Sequence, residues 1–336
     1  MAVIGNKKLT QYGNGGETMT AAIIAIVGPT ASGKTDLSLF LATELNGEIV
    51  SADSMQIYRG LDIGTAKIEP ENRSVPHYLI DIIEPHEQFS VADYKQLADE
   101  TIASITNRGK RPIFVGGTGL YLQSVLDGLL FPEPAKDETL RRRLLDEAAE
   151  LGNEYMYRRL LSCDEDSARR IHPNDIRRIV RALEVYIKTG TPLSKLQKEY
   201  RELAPRYETI WIGVTATRER LYRRIDERVD QMIASGLLDE VTNLYKKGLD
   251  PDSTAYQALG YKEMIWYLQG LVTLDEAIRI LKRDTRHYAK RQLSWFRRDK
   301  RIKWFDHDDF IDTNALYQAV LEHIKKTDLV GLEEPQ

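Results

Sequence analysis

A single cysteine, Cys163, in 336 residues excludes internal disulfides and any metal site built on several thiolates. The six histidines are scattered, and none pair at ligand spacing. No apolar run reaches the roughly 18 residues that a membrane span needs, so no membrane partner is expected. The first twenty residues lack the apolar core of a signal peptide. They are polar, contain Gly13, Gly15 and Gly16, and read as a loose leader over 1–19, with Met19 as a candidate start just before the first strand. The default compartment for such a chain is the cytoplasm. Charge of one sign is also scarce. A net charge of −4 argues against indiscriminate nucleic-acid binding, although a total hides local basic surfaces. The remainder, 42% hydrophobic and 29% charged, is the balance of a globular protein long enough for two domains.

Against these absences stands one strong motif. Residues Gly28, Pro29, Thr30, Ala31, Ser32, Gly33, Lys34 and Thr35 spell G-x-x-x-x-G-K-[ST], the phosphate-binding loop. The apolar run Ala21 to Val27 precedes it as a buried strand. Leu37, Leu41 and Leu45 follow at helical spacing. A strand entering a glycine-rich turn and then a helix aims backbone N–H groups and the positive helix end at one spot. That spot suits a phosphate or diphosphate. Lys34 adds a point charge, and Thr35 a hydroxyl for Mg²⁺.

Strand and helix then alternate. Strands are expected over Glu48 to Ala52, Tyr78 to Ile83 and Arg111 to Val115, and helices over Val91 to Thr106 and Leu120 to Leu126. The pattern implies a P-loop α/β fold: a parallel sheet with helices on both faces and ligands at the carboxyl ends of its strands. It breaks near Phe131-Pro132-Glu133-Pro134. From there to about Pro205 the chain is helical, charged and without strand signals. Strand character returns at Thr209 to Val214, followed by a long amphipathic helix over Arg218 to Lys247. The expected organisation is a discontinuous α/β core, 20–130 and 206–315, an all-helical insertion, 131–205, and a C-terminal helix and tail, 316–336.

Three further features carry chemistry. Asp53, in Asp53-Ser54-Met55-Gln56-Ile57-Tyr58, ends the second strand and should face the crevice. There it could hold Mg²⁺ through water or accept a proton, or it could simply cap a turn. Gly116-Gly117-Thr118-Gly119 ends another strand. It reads equally as a diphosphate contact through Thr118 or as a tight turn. Basic residues cluster at Arg177, Arg178 and Arg181, and again over Lys282 to Lys303, where ten lysines and arginines meet only Asp284 and Asp299. Tyr288, Trp295 and Phe296 are interleaved there. This composition suits phosphate contact with base stacking, or else a solvated helix whose aromatics pack inward.

Taken in order, these motifs resemble the bacterial tRNA dimethylallyltransferase family, also called tRNA isopentenyltransferases. The likeness rests on Gly28 to Thr35, Asp53 to Tyr58, Gly116 to Tyr121, Arg178-Ile179-Val180-Arg181-Ala182-Leu183-Glu184-Val185, Gln257-Ala258-Leu259-Gly260-Tyr261 and Arg286 through Arg298. Plant and animal relatives can carry a zinc finger near the C-terminus, which one cysteine cannot build. The resemblance implies dimethylallyl transfer from dimethylallyl diphosphate to the exocyclic N6 amine of the adenine 3′ to the anticodon, with Mg²⁺ as cofactor. It implies that Gly28 to Thr35 hold the diphosphate, with Lys34 catalytic and Thr35 on the metal. Asp53 would bind the target amine and take its proton, and Thr118 would steady the leaving group. Ser54, Met55, Gln56, Arg177, Arg178, Arg181, Gln257, Gly260, Tyr261, Lys290, Arg291, Gln292, Trp295 and Arg297, with Asp53 and Thr118, would meet the tRNA anticodon stem-loop. A monomer is expected. The competing readings are a P-loop small-molecule kinase, an NTP-switched RNA-binding protein, and an adenylate prenyltransferase acting on free nucleotides.

Overall fold

The computed structural model describes residues 22–128, 137–201 and 205–330. The loose leader and the break at Phe131–Pro134 lie outside the described residues. Strand β1 (Ile23–Val27) runs into the phosphate loop and helix α1 (Lys34–Glu44), then β2 (Gly47–Ser51) and β3 (His77–Tyr78). Helix α2 (Val91–Asn107), β4 (Arg111–Gly116) and α3 (Gly119–Leu126) complete the first half. Five helices follow: α4 (Glu138–Leu151), α5 (Asn153–Cys163), α6 (Glu165–Ala168), α7 (Ile176–Thr189) and α8 (Leu193–Arg201). The chain returns through β5 (Thr209–Thr215), α9 (Arg218–Ala234), α10 (Leu237–Lys246), α11 (Tyr261–Leu268), α12 (Leu274–Phe296), β6 (Lys303–Asp306) and α13 (Thr313–Val330).

The six strands form one parallel sheet in the order β3-β2-β4-β1-β5-β6. All five residues of β1 and of β2 are buried, as expected of strands covered on both faces. Val27 pairs with Gly116 and Ser51 with Val115, so β1, β2 and β4 end at one edge. That register brings the phosphate loop, Asp53 and the Gly116–Gly119 turn together, although they are far apart in sequence.

Each sheet face has its own core. Tyr94, Ile102, Tyr121 and Leu122 of α2 and α3 cover one; Leu37, Leu41, Leu316, Val320 and Ile324 of α1 and α13 cover the other. Leu316, Val320 and Ile324 recur every four residues and are fully buried. Each contributes about 1.5–3 kcal/mol, so α13 is part of the core. A third cluster joins Ile57, Tyr58 and Leu61 to α10, α11 and the first half of α12. The helices between α3 and β5 pack around Leu144, Leu160, Ile179 and Leu183.

Three local expectations change. The long helix over Arg218–Lys247 is two helices, broken where Gly236 adopts φ 97° and opens α10. The strand expected over Tyr78–Ile83 stops at Tyr78, where Leu79 and Asp81 turn left-handed (φ 61° and 56°). Strand β6 lies at the end of the basic stretch, where Lys303 hid the apolar pair Trp304 and Phe305.

Candidate active site

The phosphate loop is shaped by its glycines. Gly28 adopts φ 146°, and a Cβ there would sit 2.2 Å from the Val214 carbonyl. Gly33, at φ 84°, opens α1 without a side-chain cap, leaving the first-turn amides available to an anion. Ala31 is left-handed without being glycine (φ 62°), a conformation that costs energy outside a constrained loop. Lys34 Nζ donates to the Pro29 carbonyl at 2.6 Å. Burial pulls the Lys34 ammonium down to about 7. The nearby Arg228 acts in the same direction, and the Asp53 carboxylate opposes both. An incoming diphosphate would supply the missing counter-charge.

Asp53 leaves β2 with Oδ1 accepting from the Met55 amide at 2.9 Å. Its turn is stitched to the neighbouring strand end. Thr118 Oγ1 accepts from the Ser54 amide at 3.1 Å, and the Thr118 amide donates to the Ala52 carbonyl at 3.1 Å. The Thr118 hydroxyl is thus bonded within the Asp53 turn, and it also donates to Ser54 Oγ at 3.3 Å. Gln292, expected among the RNA contacts, borders the cavity. It is buried, accepts from the Thr30 amide at 2.8 Å and donates to the Gly117 carbonyl at 3.2 Å, tying the phosphate loop to the second glycine turn. Trp295 packs on Gly119 while staying 39% exposed.

These elements border a cavity of about 710 Å³. Its walls are the phosphate loop, Asp53, Gln56, residues 65–69, Gly116 and Gly117, one side of α9, and Tyr288 with Gln292. A parallel sheet with a phosphate loop at one strand end and a carboxylate at the next is common to many phosphate-binding enzymes, so the wider chain must decide. Residues 56–299 match the family model described as IPP transferase, and residues 21–79 the one described as Isopentenyl transferase. The chain belongs to the IPP transferase family. A tRNA dimethylallyltransferase of Halothermothrix orenii is 50% identical over 322 residues, 95% of this chain and 97% of its own. Another, from Geobacillus thermodenitrificans, is 54% identical over 293 residues, 87% and 92% of the two chains. Among solved structures, the full-length tRNA isopentenylpyrophosphate transferase of Bacillus halodurans is similar, with TM-score 0.68 and 44% identity over 93% of this chain and 99% of that one. A eukaryotic dimethylallyltransferase acting on tRNA is also similar, with TM-score 0.79 and 31% identity over 94% and 81%.

Sequence reading missed the cations that this family member places on α9. Arg224 and Arg228 lie one turn apart on the cavity wall. Arg224 Nη1 is buried without a hydrogen-bond partner. Burial lowers the Arg228 guanidinium from its usual range, while Asp53 and Asp36 hold it up. The signal was an arginine before each of Ile225 and Val229, inside the helix's apolar stripe. His307, after β6, was missed as well. It is buried, with Nε2 2.9 Å from the Ser32 carbonyl beneath the loop.

The remaining expected residues divide. Lys290, Arg291 and Arg297 are exposed and form no ion pair among the described residues. Lys282 and Arg286 are instead paired to Asp230 and Asp226 of α9, and Arg301 to Asp127 and Asp299, so more carboxylates oppose the basic run than its own two. Arg177 is exposed; Arg178 is exposed with Asp175 at 3.3 Å; Arg181 sits on the buried Glu184 at 2.9 Å. Gln257 is exposed, its Nε2 on the Pro251 carbonyl at 3.2 Å. Ser54 and Met55 are half-buried in the Asp53 turn, and Gln56 is bonded to Ser51 and Thr65. Tyr261 is fully buried with its hydroxyl on Glu240, and Gly260 is the buried turn that opens α11.

A hard divalent cation fits this donor set. Thr35, Asp36 and Asp53 border the cavity with oxygen ligands, and among the described residues no cluster of three metal-binding side chains competes. Mg²⁺ typically takes one or two such ligands and completes its shell with phosphate oxygens and water.

Proposed function

We propose that this protein transfers a dimethylallyl group from dimethylallyl diphosphate to the N6 amine of the adenine 3′-adjacent to the anticodon in tRNA. The supporting observation is the shared cavity: among the described residues Lys34, Arg224 and Arg228 form no ion pair there, and the strand-end carboxylate Asp53 acts on both Lys34 and Arg228. The diphosphate sits on the loop amides with Lys34, Arg224 and Arg228. Bound Mg²⁺, held by Thr35, would further neutralise charge on the diphosphate.

The allylic C–O bond breaks with its electron pair leaving on diphosphate, and the residues around the loop stabilise that charge. The adenine amine is a poor nucleophile because its lone pair is conjugated with the ring. Asp53 accepts its proton as the new C–N bond forms. The base must leave the anticodon stack to reach a strand-end crevice. Lys290, Arg291, Arg297 and Trp295, with Gln257 and the helical insertion 131–205, form the RNA surface. The test is direct. Protein, unmodified tRNA, Mg²⁺ and dimethylallyl diphosphate are incubated, and the digested nucleosides are weighed. A dimethylallyl mass increment on adenosine is expected. ATP consumption stoichiometric with product, or no modified nucleoside, would overturn the reading.

A further inference from the structure

Glu240 of α10 gathers four donors on one carboxylate. Oε2 accepts from the amides of Asp62 (3.1 Å) and Ile63 (2.8 Å), and Oε1 from the Gly64 amide (3.3 Å) and the Tyr261 hydroxyl (2.5 Å). Successive amides converging on one point form an anion nest, here filled by a side chain. Tyr261 closes it from above. A Cβ on Gly64 would lie 2.5 Å from the Tyr261 ring, so only glycine fits.

The segment held in this way continues into the cavity wall at Thr65, Ala66, Lys67 and Ile68. It also grips the turn carrying Asp53. Gln56 Nε2 donates to the Thr65 carbonyl at 3.2 Å, and Ser51 Oγ donates to Gln56 Oε1 at 3.1 Å. Lys67 Nζ, almost fully buried, donates to the Tyr58 carbonyl at 2.6 Å, while Asp62 and Asp81 take its charge at 2.7 and 2.5 Å. A continuous path therefore runs from Glu240 and Tyr261 through residues 62–67 to residues 51–58. None of its hydrogen bonds ends on the phosphate loop.

We propose that Glu240, oriented by Tyr261, is a positioning residue for Asp53, acting through the 62–67 segment. The inference rests on Asp53 being the base. Because the path bypasses the phosphate loop, acceptor activation and diphosphate binding separate. Misplacement of a catalytic group by about 1 Å costs on the order of 10²-fold, so Glu240→Ala should lower the single-turnover rate about 10–100-fold. Its affinity for inorganic diphosphate should stay within about twofold of wild type, since the loop contacts are intact. Glu240→Gln keeps one acceptor oxygen for two amides and should recover part of the rate. Tyr261→Phe removes one hydroxyl and should cost about 2–5-fold.

The full-length variants are assayed below their melting temperatures with saturating dimethylallyl diphosphate and unmodified tRNA, and inorganic diphosphate binding is measured by calorimetry. A wild-type rate in Glu240→Ala, or diphosphate affinity falling in step with rate, overturns the proposal. If Glu240→Ala does not fold, an unchanged rate in Tyr261→Phe does so. In an Asp53→Ala background, Glu240→Ala should add less than about a twofold loss, since the group it places is gone; a full additional loss overturns the proposal. Wild-type turnover in Asp53→Ala alone would instead remove the base assignment beneath it.

Discussion

The cations of the crevice and those of the helical insertion are held in opposite ways. In the insertion six arginines are held by carboxylates. Arg141 and Arg181 share Glu184, Arg159 sits on Glu147 at 2.6 Å, and Arg158, Arg169 and Arg178 each have a partner about one helical turn away. In the crevice Lys34 has only a carbonyl, and Arg224 and Arg228 form no ion pair among the described residues. Exposed ion pairs contribute about 0–1 kcal/mol each and mainly order the helices. Buried cations without partners destabilise the empty protein until an anion arrives. Clustering of charge along the sequence marks neither case. Counting which charges the fold itself satisfies separates them.

The sharpest way to break this contrast is to remove Asp53, the strand-end carboxylate on the cavity wall. As general base, Asp53 should be worth roughly 10²–10⁴ in turnover. Its charge also offsets Lys34 and Arg228. Asp53→Ala should therefore lose turnover while binding diphosphate as well as wild type or better. Near wild-type single-turnover rates would defeat the base assignment. Weakened diphosphate binding would mean that the cations serve Asp53 rather than a ligand.

Lys34 should show effects of opposite sign. Lys34→Met should lower turnover by roughly 10²–10³, the usual cost of losing one preorganised charge contact. The same change should raise the melting temperature of the empty protein near neutral pH, because a desolvated ammonium is gone. In the wild-type protein Lys34 titrates at about 7 when folded, well below its unfolded value of 10.5. Between those values the unfolded chain binds the extra proton, so this group's contribution to stability rises with pH over that window. Diphosphate binding restores the charged form and takes up a proton. Affinity should therefore weaken as pH rises above about 7. Comparison with Lys34→Met isolates the lysine from the ligand's own titration, and identical pH profiles in the two proteins would show that Lys34 does not titrate there.

The phosphate loop, the parallel sheet and the strand-end position of Asp53 were legible because each depends on a contiguous pattern. Gly28 to Thr35 is a local motif, β1 is an uninterrupted apolar run, and β2 is a short strand around Ile49 and Val50. What stayed hidden depends on tertiary pairing. Nothing local marks Gln292 as a bridge between two glycine turns, since its partners lie 262 and 175 residues away. Arg224 and Arg228 sit beside the buried Ile225 and Val229, but nothing local shows what they face until the sheet edge is placed beside them. Gly236 could as well be a tolerated helical glycine as the corner it forms.

On the RNA side the contrast predicts a moderate, salt-dependent effect. Lys290 and Arg291 are exposed, adjacent and not paired to carboxylates among the described residues. Each phosphate contact adds about 0.7–0.9 to the slope of log affinity against log salt, so replacing both with alanine should flatten it by roughly 1–2 units. Inorganic diphosphate binding should not change. Free adenosine monophosphate should remain a very poor acceptor, because it forfeits the contacts that orient the amine. An unchanged salt slope, together with comparable efficiency on free nucleotide and tRNA, would make this stretch a solvated face and favour the free-nucleotide enzyme.

The smallest effect should come from Arg181, and its kind matters more than its size. By sequence it belongs with Arg177 and Arg178 as a tRNA contact. By structure its guanidinium is bonded to Glu184, a fully buried carboxylate that also holds Arg141. Releasing it to grip a phosphate would leave Arg141 as the remaining cation on a buried charge. Arg181→Ala should therefore cost about 1–2 kcal/mol of stability, the worth of one charge-assisted hydrogen bond with a second cation still in place. Arg141→Ala should cost a similar amount, and the double variant more than their sum, because Glu184 then loses both partners. The salt dependence of tRNA binding should stay unchanged in Arg181→Ala, where a phosphate contact would flatten it by about 0.7–0.9. A flattened slope at unchanged stability would place Arg181 with Lys290 and Arg291. It would also show that the insertion, like the crevice, keeps a cation in reserve for its substrate.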